Sequence, residues 1–215
     1  MMSLDHPNII KLYEVYDQSN CYVMVMELCE GGDLFKKVNQ GLIDYQSTIS
    51  ITKQILSALN YIHSQKIVHR DIKLENILYE SNTRTIKLID FGISTKIREE
   101  QFLVERIGTP AYIAPEVLTK CYNEKCDLWS LGIAVCVMLT KKTPIQAKDA
   151  KDFFHKIMFE KIDLKPFLEY SPQCANFLKK ILTKNYRKRL SAYQALQHPW
   201  ITKNCGDATL TNSEK

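Results

Sequence analysis

From Asp127 to Leu139 the chain is apolar on nearly every side of a helical projection. A helix without a polar face has to be wrapped by other elements, so this one belongs at the centre of a domain. The chain can supply the wrapping: it has 215 residues, 45% of them hydrophobic, enough for one domain or one and a half. The longest purely apolar run, Leu131 to Leu139, is far shorter than the roughly 20 residues that span a bilayer, so no membrane partner is expected.

The pattern on either side predicts that wrapping. From Asp44 to Gln65, Ile51, Ile55, Leu59 and Ile62 recur at spacings of four, four and three, with Ala58 beside them. That is one apolar stripe of a core helix. Further helices are expected at Ala150 to Phe159, Pro172 to Thr183 and Ala192 to Gln197. Ile9 to Tyr16 and Cys21 to Leu28 read as strands, with Asp17 to Asn20 as the turn. Such a hairpin needs neighbours, because alone it is marginal in water. Gly31-Gly32 then breaks the chain, and Asp33 can cap a short helix through about Asn39. Two short strands, Ile77 to Tyr79 and Thr85 to Ile89, flank a turn at Asn82. There is no internal repeat, and the polar tail from Lys203 to Lys215 is expected to fray.

The net charge of +5 fits a polyanionic ligand and equally an ordinary basic protein. With no arginine-rich arm or recognisable module, no nucleic-acid partner is expected. The seven cysteines are odd in number and include no Cys-x-x-Cys pair. Reduced thiols in a cytoplasmic protein are the expectation, without a zinc site. The start, Met1-Met2-Ser3-Leu4-Asp5-His6, has neither the basic nor the apolar region of a signal peptide.

Three segments carry chemistry: His69-Arg70-Asp71-Ile72-Lys73-Leu74-Glu75-Asn76, then Asp90-Phe91-Gly92, then Gly108-Thr109-Pro110 through Ala114-Pro115-Glu116. In this order, with a strand pair between the first two, the chain resembles the protein kinase family. The resemblance implies an α+β fold with a mostly helical lower lobe and a remnant of the upper-lobe β-sheet. Residues 1–202 would be an incomplete kinase domain, with 1–28 the upper-lobe remnant, 29–202 the lower lobe and 203–215 a flexible tail. It implies ATP and Mg²⁺ as cofactors and proteins with Ser or Thr acceptors as substrates. Asp71 would accept the proton of the substrate hydroxyl, Lys73 would stand near the transferred phosphate, and Asn76 and Asp90 would offer oxygen ligands to Mg²⁺.

The resemblance extends over nearly the whole chain. Met26 looks like the gatekeeper, Glu27 and Cys29 like hinge residues whose backbone meets adenine, and Leu78 like the floor of the adenine pocket. Asp33 lies where the family contacts nucleotide and, with Glu75, where basophilic members face an Arg upstream of the acceptor. Lys73 and Thr109 are the serine/threonine version of their segments. Asp127 would brace the catalytic loop, and Glu116 with Arg189 would lock the lower lobe. Arg70 would pair with a phosphate on the loop after Asp90-Phe91-Gly92, but the position three residues before Gly108 is Glu105, a carboxylate able to pair with Arg70 as it stands. The phrases around Asp5-His6-Pro7-Asn8, Glu124-Lys125-Cys126-Asp127 and His198-Pro199-Trp200 are similar to the calcium/calmodulin-regulated branch, above all to calcium-dependent kinases of plants and protists.

The sequence departs from the family in three places. It holds no Gly-x-Gly-x-x-Gly loop, and the resemblance begins after the lysine strand and the glutamate helix that complete the ATP site. Three readings follow: a fragment of an active kinase, a short protein that binds partners through the lower lobe, or a chain that recruits an upper lobe in trans. No EF-hand loop occurs, so calcium sensing would need a segment outside this sequence. Around Lys141-Lys142-Thr143-Pro144-Ile145 relatives commonly carry a Gly and a Pro-Phe pair, and local divergence is expected there.

Overall fold

The structure is a computed structural model and describes residues 2–98 and 101–203. The tail expected to fray lies outside the described residues from 204 onward, as does Cys205; the other six cysteines are free thiols.

Side-chain caps start most of the helices. Asp33 caps α1 (Leu34–Asn39) by accepting from the Lys36 amide, and Asp44 caps α2 (Tyr45–Ser64) by accepting from Ser47. After β3 (Ile67–Val68), β4 (Ile77–Glu80), β5 (Thr85–Leu88) and β6 (Thr95–Lys96) come α3 (Pro115–Leu118) and α4 (Lys125–Thr140). Asp149 caps α5 (Ala150–Phe159) and Ser171 caps α6 (Pro172–Ile181). Ser191 and Gln194 form a reciprocal capping box on α7 (Ala192–Leu196), and His198 caps α8 (Pro199–Thr202).

In α4, the apolar helix, every residue from Cys126 to Met138 is buried. Helices α2 and α6 pack against it, and α2 also carries α7, α8 and β5 on other parts of its surface. One continuous core results, from Leu4 near the start to Ile201 near the end.

The strands form three two-stranded antiparallel pairs, β4–β5, β3–β6 and a hairpin of β1 (Leu12–Gln18) with β2 (Cys21–Met26). The strand expected from Ile9 therefore begins later, at Leu12. Ile9 and Ile10 are buried and belong elsewhere: the Ile10 amide donates to the Leu88 carbonyl at 3.0 Å, and the Leu88 amide donates to Asn8 at 2.9 Å. This contact ties the hairpin's base to β5. The hairpin itself packs on little: all of β2, and all of β1 after Leu12, is exposed. The pairing of β3 with β6 went unpredicted, since two residues carry no periodicity. Likewise α6 ends at Ile181 rather than Thr183.

Gly31 sets the approach of the next segment to β4. A Cβ there would lie 1.9 Å from the Tyr79 carbonyl oxygen, so only glycine lets the backbone pass. Beyond it, Tyr79 donates to the Gly32 carbonyl at 2.9 Å, and Asp33 bridges to Leu78. Leu78 is thus held beside the stretch that follows β2.

Candidate active site

The loop after β3 turns sharply. Arg70 adopts the left-handed region, with φ 70°, which a residue with a Cβ takes only when its surroundings impose it. The imposing group is Asp127 in the first turn of α4. Its buried carboxylate accepts from the backbone amides of His69 (3.0 Å) and Arg70 (2.9 Å) and pairs with His63 Nε2 at 2.8 Å. Burial by itself would raise the Asp127 pKa, but the hydrogen bond and charge of His63 outweigh it and hold the carboxyl below its usual range.

A depressed carboxylate pKa stabilises the fold above the unfolded value, near pH 3.9, and that stabilisation is lost as pH falls through the folded value. The thermal stability of the chain should therefore fall steeply below about pH 4. Asp127→Asn should be less stable at neutral pH and should flatten that acid limb. An unchanged slope would remove Asp127 as its source.

His69 is buried and its burial pushes its pKa down, so the ring is neutral. Nε2 carries the proton and donates to the Ile89 carbonyl at 3.0 Å, leaving Nδ1 to accept from the Asp71 amide at 3.3 Å. The ring also lies edge-on to Phe91, with centroids 4.8 Å apart. One imidazole thus ties together two of the three motif segments.

Asp71 is half-buried at the centre of a polar cluster. One carboxylate oxygen accepts from the Thr109 hydroxyl (2.7 Å) and amide (3.2 Å). The other accepts from the Asn76 amide at 2.9 Å and pairs with Lys73 Nζ at 2.7 Å. Lys73 also donates to the Thr109 hydroxyl at 2.9 Å. Burial would raise the Asp71 pKa, but Lys73 and Thr109 outweigh it, so the carboxyl titrates below its usual range and is an anionic acceptor at neutral pH. Gly108, with φ 113°, brings Thr109 into this cluster, and a Cβ on it would stand 2.8 Å from the Arg70 carbonyl oxygen.

Asn76 is buried, and its carbonyl accepts from the Ile89 amide at 2.9 Å. That bond sets it beside the chain leading to Asp90, which is exposed, has φ 60°, and accepts from the Gly92 amide at 3.1 Å. No group of three or more His, Cys, Asp or Glu could hold a metal among the described residues. An amide oxygen and a free-standing carboxylate nevertheless suit Mg²⁺, which uses few protein ligands and completes its shell with water and phosphate oxygens.

Arg70 reaches the following loop. It donates through Nε to the Ile93 carbonyl and through Nη1 to Glu105, whose side chain is largely exposed. Leu103 and Tyr122 exchange backbone hydrogen bonds of 2.8 and 3.2 Å on the loop's other side.

At the opposite rim, the Glu27 amide is committed to the Lys11 carbonyl (2.9 Å) and its side chain pairs with Lys87 (2.7 Å). Met26 is exposed, and Cys29 and Leu78 are half-buried. Cys29 makes no backbone hydrogen bond among the described residues. The Asp33 carboxylate is spent locally, on the Lys36 amide (2.8 Å) and ammonium (3.0 Å), whereas Glu75 is exposed. Far beneath the cluster, buried Arg189 grips Glu116 with two nitrogens. Sequence reasoning missed His63, Lys36, Lys87 and Tyr122. Only Lys36 left a local signal, three residues after the capping Asp33.

A family model of the protein kinase domain matches residues 1–201. The chain is 40% identical over 210 residues to calcium-dependent protein kinase 5 of Plasmodium falciparum (isolate 3D7), covering 94% of this chain and 37% of that protein. It is 38% identical over 216 residues to calcium-dependent protein kinase 3 of Plasmodium yoelii yoelii, covering 98% and 40%. It is 39% identical over 204 residues to calcium-dependent protein kinase 4 of Plasmodium berghei (strain Anka), covering 92% and 39%. The chain spans about two-fifths of the length of these relatives.

Proposed function

This chain belongs to the protein kinase family, and on that footing we propose that it carries the phosphate-transfer centre of a serine/threonine kinase that moves the γ-phosphate of ATP to protein hydroxyls. The observation that carries this reading is the cluster of Asp71, Lys73, Asn76 and Thr109 around one anionic carboxylate. Asp71 accepts the proton of the substrate hydroxyl and orients its oxygen. Lys73, already poised between Asp71 and Thr109, offers its ammonium to the transferred phosphate, where charge builds up. Thr109 holds the acceptor segment's floor against Asp71. Asn76 and Asp90 would hold Mg²⁺, which would supply charge neutralisation on the phosphate oxygens.

Adenine is received by the Glu27 carbonyl and the Cys29 backbone, with Met26 behind and Leu78 beneath. Asp33 and Glu75 select Arg upstream of the acceptor through charge-assisted hydrogen bonds. Because Asp33 is paired with Lys36, a substrate Arg exchanges with that exposed ammonium, while Glu75 is open to it directly. We keep residues 1–28 as an upper-lobe remnant on a lower lobe ending near 202. The free thiols fit a cytoplasmic protein. The relatives are named for calcium dependence; this sequence holds no EF-hand loop, so we assign any calcium response of the whole protein to a segment outside it.

The test joins the chain behind the segment of a relative that contributes the Gly-rich loop and strand lysine, and measures phosphate transfer from Mg²⁺–ATP to a peptide library. Transfer to Ser and Thr with Arg upstream is expected, and little from the 215-residue chain by itself. Transfer confined to Tyr, or none, would overturn the reading.

The Arg70–Glu105 pair supports a loop held in place without phosphorylation. An exposed carboxylate paired with Arg is worth up to about 1 kcal/mol, so Glu105→Ala should lower turnover of the joined protein about fivefold. Phosphatase treatment should change it little. Activity abolished by phosphatase but untouched by Glu105→Ala would place the switch elsewhere.

A further inference from the structure

Behind the Asp71 cluster lies a small, partly open chamber of about 10 Å³, room for a single water. Its walls include Arg70, Asp71, Gly108, Val117 and Tyr122, so it touches both the catalytic loop and the loop that follows Asp90. Tyr122 is 1% exposed, and its hydroxyl has no hydrogen-bond partner among the described residues. A buried hydroxyl is seldom left unpaired, because desolvation is then uncompensated. The Arg70 guanidinium lies beside this phenol without a direct hydrogen bond of good geometry. Burial raises the Tyr122 pKa, and Arg70 opposes that rise while Glu105 adds to it. The Tyr122 backbone, meanwhile, is already bonded in both directions to Leu103, two residues before Glu105.

We propose that Tyr122 is a positioning residue: its backbone ties down Leu103, and its hydroxyl, through one water held in the chamber, keeps the Arg70 guanidinium in register for Glu105. The water satisfies the hydroxyl and accepts a hydrogen bond from a guanidinium N–H that neither Ile93 nor Glu105 uses. Arg70 has five N–H donors, and those two partners occupy only two. The ring of Tyr122 and the pair on Arg70 then form one latch between α3–α4 and the loop. The catalytic consequence of the latch rests on the reading of Arg70 and Glu105 above, but the latch itself is tested without any activity.

The measurement is amide hydrogen exchange from Leu103 to Gly108 in the full 215-residue chain, beside its melting temperature. Tyr122→Phe, which keeps the ring and removes the hydroxyl, should speed exchange there about tenfold, the loss of one charge-assisted hydrogen bond. In a Glu105→Gln background the same change should add less than about twofold, because the latch is already open. Val117→Ile adds a methylene at another residue lining the chamber while leaving the Tyr122 hydroxyl in place, and should loosen the same amides. Unchanged exchange in Tyr122→Phe, or an equal tenfold step on top of Glu105→Gln, would overturn the proposal. If Tyr122→Phe lowers the melting temperature sharply, Val117→Ile decides: faster exchange at an unchanged melting temperature supports the latch, and unchanged exchange refutes it.

Discussion

Exchange of Asp71 for Ala in the joined protein is expected to lower phosphate transfer about a hundred- to ten-thousand-fold, the range for loss of a positioned general base. The size follows from how many tasks the carboxylate performs at once. It takes hydrogen bonds from the Thr109 hydroxyl and amide on one oxygen and from Asn76 on the other, and it holds Lys73 at 2.7 Å. Without it, Lys73 loses its counter-charge and Thr109 its anchor, so hydroxyl and phosphate lose their shared frame. Asp71→Asn separates geometry from charge: it can still accept from Thr109 but cannot take a proton. It should be nearly as inactive as Asp71→Ala while leaving peptide binding intact. The pH profile is a second check. The carboxyl is held below its usual range by Lys73 and Thr109 against the effect of burial, so the rate should fall on the acid side only below about pH 4. Near-normal turnover of Asp71→Ala would end the assignment.

Glu116→Ala should cost the fold about 3–5 kcal/mol, the usual result of stripping one partner from a buried ion pair. Both side chains are almost wholly buried. Arg189 grips the two carboxylate oxygens with two nitrogens, donates further to the carbonyls of Lys125 (2.8 Å) and Thr183 (3.0 Å), and lies over the Trp129 ring, 5.2 Å from its centroid. Alanine leaves that guanidinium in the core without an anion. Urea unfolding should show a lower midpoint with an unchanged slope. Glu116→Gln, which retains one acceptor, should lose less. A loss under about 1 kcal/mol for alanine would mean the pair is hydrated in solution.

Much of the architecture was legible because its causes are local. The apolar run in α4, the stripe of Ile51, Ile55, Leu59 and Ile62 in α2, and the capping residues Asp33 and Asp44 act within a turn or two of themselves. Helix α5 falls at the expected Ala150–Phe159. The motif residues could likewise be named from order and spacing, since Asp71, Lys73 and Asn76 lie on one short loop.

Partnership between distant residues was not legible. Ile9 looked like the start of the hairpin, yet its place is buried beside Leu88 of β5, a contact with a strand nearly eighty residues away that its own neighbours do not announce. Nothing near His63 announces that it pairs with Asp127, or that this pair supports the left-handed turn at Arg70. Asp33, expected as a cap and as a partner for a substrate Arg, is also paired with Lys36, and nothing near Tyr122 announces that it lines a chamber behind Asp71. Periodicity and capping are set by neighbours a few residues away, so the sequence by itself determined where the longer helices form and which loops carry the family's motifs. A hydrogen-bond partner, a burial or a depressed pKa depends on which surfaces meet once those segments pack, and only the tertiary structure decided that.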